Sequence, residues 1–262
     1  MKYTGLLVGG FCLFCACSSP QKNPIDYVDP FIGTGFHGHT YPGATTPFGA
    51  VQLSPDTRRG NWDASSGYHY SDSTILGFSH THLSGTGCQD LGDVLLRPTT
   101  QPVRLEGEGD IFLPAAFSHD SEKATPGYYA VTLSDEQIKV ELAASTFAGM
   151  HRYTYLNDKD ASVIVDLTHI LNTDDFIYEA ELKQTADNEI VGMRRTRSWV
   201  DNQYIYFVLQ FSKPIQEWQQ LNDKQGVAHF GQERELLAKV GLSIVSTENA
   251  RENLLHDMPD FN

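Results

Sequence analysis

The amino-acid sequence predicts an all-β protein, a two-sheet antiparallel β-sandwich with one helix at its C-terminal end. The 262 residues include 22 Gly and 12 Pro beside 11% aromatic residues, a composition typical of short strands joined by frequent turns. Runs of β-branched and aromatic residues recur between turn-forming residues, and several runs alternate polar with apolar side chains. With 40% hydrophobic residues, the chain has enough apolar material for one substantial core.

The first 17 residues have the pattern of an export signal. Lys2 precedes an apolar run over residues 5–16, which is shorter than the ~20 residues of a membrane-spanning helix. The sequence around Cys17 resembles the cleavage box of bacterial lipoproteins, which predicts a lipid on Cys17, with simple secretion as the alternative. We expect an exported protein, either a periplasmic or outer-membrane lipoprotein or one that is surface-exposed or secreted, that meets a membrane only through its lipid anchor.

The rest of the chain divides into a polar tether at 18–24, a β-sandwich domain at 25–246 and a helical segment at 247–262. Turn-forming residues at 135–136, 157–160 and 186–188 favour antiparallel connections. The alternation Lys139-Val140-Glu141-Leu142 indicates a strand with one solvent-facing side. The predicted strands are 50–53, 75–78, 94–96, 128–133, 138–144, 150–155, 163–167, 176–182, 190–197, 204–211 and 236–244.

The C-terminal segment predicts a helix. Ser246 is a good N-cap for a helix that begins near Thr247 and runs toward Pro259, with Leu254 and Leu255 as a narrow apolar stripe. On physical grounds alone, two interpretations are equally good. The helix either begins a linker to a further domain or docks back on its own sheet.

The charge and the cysteine content argue against a nucleic-acid partner and against an internal disulfide. Lys and Arg number 19 against 33 Asp and Glu, so the formal net charge of −14 disfavours a nucleic-acid partner. Three of the four Cys lie in the signal segment, so we expect no internal disulfide in the mature domain, whose one cysteine is Cys88. We expect Cys88 to be a buried, inert thiol.

Residues 29–93 crowd Gly, His, Asp, Tyr and Trp into loops, where binding sites are usually found. A phosphate loop is disfavoured because no Lys-Ser/Thr and no helix follow the glycines. Two His-x-His pairs, at 37 and 39 and at 80 and 82, are a weak metal signal, and carboxylates at 63, 72, 90 and 93 are catalytic candidates by type only. Trp62 stands among polar residues, which favours an exposed indole that packs on a sugar ring. The alternative is a Trp buried in the core.

Six blocks of this region form an ordered pattern: VDPFIGTG (28–35), HGHTYPGA (37–44), PFG (47–49), QLSPDTR (52–58), SGYHY (66–70) and GFSHTHLSGTG (77–87). Together they resemble the N-terminal domain of the glycoside hydrolase family 92 α-mannosidases. The resemblance extends to KVGLS (239–243) and ENAR (248–251), and so covers nearly the whole mature chain. Where many relatives have a Cys, this chain has Ala64-Ser65-Ser66, a change that we expect to alter specificity.

The resemblance implies an exported, calcium-dependent, inverting exo-α-mannosidase that acts on N-glycans or mannans. It implies a supersandwich-like N-terminal domain followed by an (α/α)6 barrel that holds the general acid Glu, the general base Asp and the calcium ligands. We therefore expect no catalytic residue and no metal ligand in this chain, an inactive isolated domain, and a linker into the barrel at 247–262. The expected substrate-binding residues, in direct contact or as pocket wall and inter-domain residues, are Trp62, Asp63, His37, His39, His80 and His82.

Two alternatives belong to other functional classes. One is a free-standing exported carbohydrate-binding sandwich without catalysis, which the Trp and Tyr content allows. The other is a metallohydrolase built on the His-x-His pairs.

Overall fold

Two antiparallel sheets packed face to face form the fold, as the sequence predicts. The computed structural model describes Met1 and residues 22–105, 111, 113–174 and 176–261. Cys17, the rest of the predicted signal after Met1, and residues 18–21 of the predicted tether lie outside the described residues. No helix in the described part of the chain is long and apolar enough to cross a membrane.

Seventeen strands are present in the described residues. In chain order they are β1 (Ala44–Thr45), β2 (Gln52–Asp56), β3 (Thr74–Ile75), β4 (Gly77–Ser79), β5 (Leu95–Thr99), β6 (Ala115–Ala116), β7 (Lys123–Thr125), β8 (Tyr128–Leu133), β9 (Ile138–Ala144), β10 (Ala148–Tyr155), β11 (Ala161–Asp166), β12 (Phe176–Ala186), β13 (Glu189–Arg197), β14 (Gln203–Phe211), β15 (Glu217–Asn222), β16 (Gln225–Gly231) and β17 (Glu235–Ser243). Short 3-10 helices span Pro24–Tyr27, Trp62–Ala64 and His119–Ser121.

The strands form two large sheets and one small pair. The first sheet has the order β1-β2-β4-β5-β11-β16-β15, and the second has the order β12-β13-β14-β17-β10-β9-β8-β7. Strands β3 and β6 pair separately. The inner faces meet in one core that includes Phe78 and Val163 from the first sheet and Val140 and Phe207 from the second. Along β9, buried residues alternate with half-buried ones, so the predicted solvent-facing side is confirmed.

The helix α1 (Thr247–Asp257) begins where the sequence predicts, with the Ser246 side chain accepting a hydrogen bond from the Asn249 N–H. Leu254 and Ala250 pack on Ala148 and Val208, on the outer face of the second sheet. Leu255, the other predicted apolar contact, is exposed. In this chain the helix therefore docks on the sandwich.

Each predicted strand is found, those at 128–133 and 138–144 with the predicted ends, but the segment predicted at 75–78 falls on two strands, β3 and β4. The sequence did not reveal the short strands β1, β6 and β7, nor the longer β15 and β16. Strand β15 is a mostly polar edge strand, and β16 contains Gly226, against whose backbone the Trp218 ring packs. Neither segment shows the regular apolar alternation from which a strand is predicted.

A buried ion pair ties the two sheets together at one point. Arg97 on β5 and Glu136 in the turn between β8 and β9 form a salt bridge with both side chains almost fully buried. Glu136 also accepts hydrogen bonds from the Thr99 hydroxyl at 2.6 Å and from the Thr100 N–H at 2.7 Å. Glu136, which has turn-forming neighbours in the sequence, is therefore the buried counter-charge of Arg97.

We expect Glu136→Gln to lower the free energy of unfolding by about 3–5 kcal/mol, because it leaves the Arg97 guanidinium buried without its counter-charge. Urea denaturation measures this loss. The matched control is Glu235→Gln on the surface, where Glu235 lies 3.9 Å from Arg152. We expect that change to stay within about 0.5 kcal/mol. Equal effects of the two substitutions would contradict the interpretation.

Candidate functional site

Loops at one end of the first sheet present Trp62 to solvent. The residue opens a 3-10 helix whose N-cap, Asn61, accepts a hydrogen bond from the Asp63 N–H at 3.0 Å. The indole is 53% exposed, as the polar surroundings predict. Its position is fixed from below, because a Cβ on Gly87 would lie only 2.7 Å from the indole Nε1. Only glycine allows the backbone at 87 to approach the ring this closely.

The first predicted His-x-His pair flanks the indole. The rings of His37 and His39 lie 5.3 and 4.3 Å from the Trp62 ring, centroid to centroid. His37 Nδ1 is 2.6 Å from an Asp63 carboxylate oxygen, and both side chains are well exposed. His39 is buried, and its carbonyl accepts a hydrogen bond from the Gly85 N–H at 2.7 Å. Trp62, His37 and Asp63 therefore form an exposed aromatic and polar surface that His39 supports from beneath.

The second pair lies elsewhere, which corrects the expectation that it lines a pocket or a domain interface. His80 and His82 are both buried. The His80 Nδ1–H donates to the Val94 carbonyl at 2.6 Å, and its Nε2 lies 3.0 Å from His151 Nε2. The i, i+2 spacing does not indicate which face of the chain is solvent-exposed, and here both rings lie within the fold.

His82 belongs to a buried cluster around Asp56, at the end of β2. Its Nδ1 donates to the Gln52 carbonyl at 2.7 Å, and its Nε2 lies 2.8 Å from an Asp56 carboxylate oxygen. His169 Nε2 lies 2.9 Å from the other carboxylate oxygen. Burial alone raises the pKa of Asp56, but His82 and His169 outweigh burial and hold that pKa well below its ordinary value.

Gly67 closes over this cluster from the Trp62 loop. Its φ is +87°, a left-handed conformation that favours glycine. A Cβ at this position would lie 2.0 Å from the Asp56 carboxylate oxygen Oδ1. The Thr57 N–H also donates to the Gly67 carbonyl at 2.7 Å. The buried carboxylate and the Trp62 loop are therefore packed directly against each other.

A second buried ion pair extends the cluster to the other sheet. Arg194 Nε on β13 lies 3.0 Å from the Asp93 carboxylate, and Arg194 also donates to the His169 carbonyl. Asp93 accepts a hydrogen bond from the Thr81 hydroxyl at 2.7 Å. The sequence reasoning missed Asp56, His169 and Arg194 as site-shaping residues, because they come from three distant parts of the chain: the end of β2, the loop after β11, and β13.

The other predicted carboxylates have structural partners. Asp72 pairs with Arg58, and Asp90 accepts hydrogen bonds from the N–H groups of Leu91 and Trp199. Within the described residues, no group of three or more His, Cys, Asp or Glu is arranged to hold a metal ion. Cys88 is half-buried, not buried as expected.

The loops of this region contain strained backbone. Six non-glycine residues of the described chain have left-handed φ values, and five of them lie between positions 36 and 94. Val94 is the least favourable of these six residues, because β-branched residues rarely adopt a left-handed conformation. Its φ is 55°, and its carbonyl accepts the hydrogen bond from His80.

Comparisons with known proteins agree on one family. A model described as the glycosyl hydrolase family 92 N-terminal domain matches residues 27–243. The structure is similar to a family GH92 α-mannosidase of Bacteroides thetaiotaomicron, determined in complex with mannoimidazole, at 36% sequence identity and a TM-score of 0.82, over 91% of this chain and 35% of that chain. It is also similar to the GH92 family glycosyl hydrolase ccman5, at 28% identity and a TM-score of 0.79, over 91% of this chain and 35% of that chain.

A curated protein of Arthroderma benhamiae, described as an uncharacterized secreted glycosidase, is 29% identical over 189 residues. The match covers 65% of this chain and 23% of that protein. The chain thus spans about a third or less of the length of these relatives.

The buried histidines predict a stability loss on mild acidification. Burial lowers the pKa of His80 to about 4 and holds that of His151 well below its ordinary value of 6.5. Between about pH 6.5 and pH 4 the unfolded state binds more protons than the folded state, so stability falls as the pH falls. We expect His80 alone to contribute a loss of about 3 kcal/mol over this window.

Asp56 acts in a separate, lower window, because its depressed pKa adds stability that is lost only as the pH falls below about 4. Urea denaturation at a series of pH values measures both windows. His256→Gln is the control, since that side chain is exposed, and we expect it to leave the profile unchanged. A flat profile between pH 7 and pH 5 would contradict the burial of neutral imidazoles.

Proposed function

Because the chain belongs to glycosyl hydrolase family 92 through its N-terminal domain, we propose that it is the substrate-shaping part of an exo-acting, inverting α-mannosidase that hydrolyses α-linked mannose in N-glycans or mannans. The observation that supports this proposal is the exposed Trp62 surface, with the His37–Asp63 pair beside the indole. An aromatic face packs on the C–H face of a pyranose, while adjacent imidazole and carboxylate groups bind its hydroxyls. Trp62 would contact the leaving-group sugar.

Catalysis is proposed to reside outside this chain. Inverting hydrolysis needs a general acid and a general base with carboxyl groups about 6.5–9.5 Å apart. Two of the candidate carboxylates have other partners: Asp63 pairs with His37, and Asp93 with Arg194. We place the general acid Glu and the general base Asp in an (α/α)6 barrel encoded beyond residue 262.

Calcium dependence is part of the same proposal, but the residues present do not fit the ion. Ca²⁺ takes six to eight oxygen ligands from carboxylates, carbonyls and water. The described residues contain no metal-holding group, and Asp56 faces two imidazoles instead of an open coordination site. The calcium site is therefore proposed to lie in the barrel as well.

An exposed apolar surface beside α1 supports docking of that barrel. Phe48, Ile244 and Val245 are largely exposed, and Phe147 is partly exposed. The last three line a small apolar cavity at the start of α1. A face of this kind on a monomer marks an interaction surface, and the helix beside it is the proposed linker into the barrel.

Export is also proposed, with Cys17 as the lipid-bearing residue. The apolar segment at 5–16 supports it, and the curated relative is described as secreted. The anchor would leave the sandwich free to meet a glycan outside the cytoplasm.

We expect the product of the complete reading frame to release mannose from α-linked mannosides, and the isolated 262-residue chain to release none. Trp62→Ala in the complete product should lower kcat/KM by about tenfold or more, because an aromatic platform for the leaving-group sugar is lost. Mannose release under initial-rate conditions is the measurement.

The matched control is Trp218→Phe on the edge strand β15, which we expect to leave kcat/KM unchanged. Mannose release by the isolated chain would overturn the placement of the catalytic residues. A reading frame that stops at residue 262, with sugar binding by the chain, would favour the free-standing carbohydrate-binding alternative.

A further inference from the structure

A second concave surface adjoins the Trp62 loop, and we infer that it binds an additional sugar residue of a neutral mannose oligosaccharide. The cleft has a volume of about 630 Å³. Its lining residues come from the loop around position 88, from the loop after β11 and the start of β12, and from the end of β13 and the residues after it. Its lining includes Gln89, Asn172, Asp174, Phe176, Arg197 and Trp199. The assignment of mannose rests on the proposed function, whereas the oligosaccharide class follows from the cleft itself.

Two large aromatic side chains of the cleft are open to solvent. Trp199 is 67% exposed and Phe176 is 58% exposed. Both contribute apolar area that a ligand with an apolar face removes from water. The C–H face of a pyranose ring is such a face.

The polar groups of the cleft fit a neutral ligand. Arg197 and Asp174 carry opposite formal charges that sum to zero, and Gln89 and Asn172 add amides that both donate and accept hydrogen bonds. For a phosphate or carboxylate ligand, repulsion by the Asp174 carboxylate would offset the attraction of the Arg197 guanidinium. Sugar hydroxyls both donate and accept, and so match this mixture.

Hydrogen bonds within the protein hold the segment that carries Trp199 in place. The buried Asp90 carboxylate accepts hydrogen bonds from the Leu91 N–H at 2.7 Å and from the Trp199 N–H at 3.2 Å. The Ser198 hydroxyl donates to the Gln89 carbonyl at 3.3 Å. Two opposite segments of the cleft are therefore tied to each other, which reduces the ordering that binding requires.

Gly87 connects the cleft with the Trp62 surface. It lines the cleft, and its backbone lies against the Trp62 indole. An oligosaccharide that packs one sugar on Trp62 can therefore extend across Gly87 and place a further sugar against Trp199. Trp199 is a binding residue in this scheme, and Asp90 is a positioning residue.

The test is an NMR titration of the ¹⁵N-labelled chain with an α-linked mannotriose. The three tryptophans, at positions 62, 199 and 218, give separate indole N–H signals. We expect the Trp199 signal to shift saturably and the Trp218 signal to stay fixed. Trp199→Ala should weaken the affinity about tenfold, and Trp218→Phe should leave it unchanged.

Phe176→Ala and Arg197→Ala probe the same cleft if the Trp199→Ala protein does not fold. A Trp199 signal that mannotriose does not move would overturn the inference. Equal affinity for maltotriose would overturn the assignment to mannose.

Failure of the proposed function has a different signature. A complete reading-frame product without mannosidase activity, whose Trp199 signal still responds to mannotriose, would overturn the enzyme assignment and retain the cleft. Full mannosidase activity together with a Trp199 indole signal that mannotriose does not shift would overturn only the inference of sugar binding in the cleft.

Discussion

The buried carboxylate of Asp56 is the interaction on which the candidate site depends. A charge without solvent is strongly unfavourable unless it is paired and hydrogen-bonded. Here it lies between the rings of His82 and His169, which arrive from separate loops. Gly67 of the Trp62 loop packs on the same carboxylate. Loops that carry the exposed surface are thus held by one interior charge, whose removal would leave two buried imidazoles without their partner.

The buried ion pairs and the apolar core have different roles in this sandwich. Burial of side chains such as Val140 and Phe207 holds the sheets together, but it is non-directional. Arg194 links β13 to Asp93 and to the loop of His169. Arg97 and Glu136 make a comparable link elsewhere. These directional contacts fix how the sheets and their loops are placed relative to each other, which sets the arrangement of the Trp62 surface and the neighbouring cleft.

Sequence reasoning works best where one physical signal dominates. Apolar alternation located β9, and an N-cap at Ser246 located α1. The exposure of Trp62 followed from its polar neighbours. The same reasoning gave the buried His80 and His82 a pocket-wall or inter-domain role, because spacing alone carries no information on burial. It also missed the contacts of Glu136, since a long-range ion pair depends on which strands become neighbours, and local pattern does not specify that.

The left-handed residues in the loops imply a conflict between robustness and recognition. Each non-glycine residue in such a conformation stores on the order of 1–3 kcal/mol, and the strained positions include His39 beneath Trp62 and Val94, whose carbonyl engages His80. Glycine at either position would relax the backbone but remove the ring or the packing that keeps the loop in shape. Selection for thermal tolerance and selection for a defined glycan surface therefore act in opposite directions on these positions, and variants with altered specificity are expected to differ in heat resistance as well.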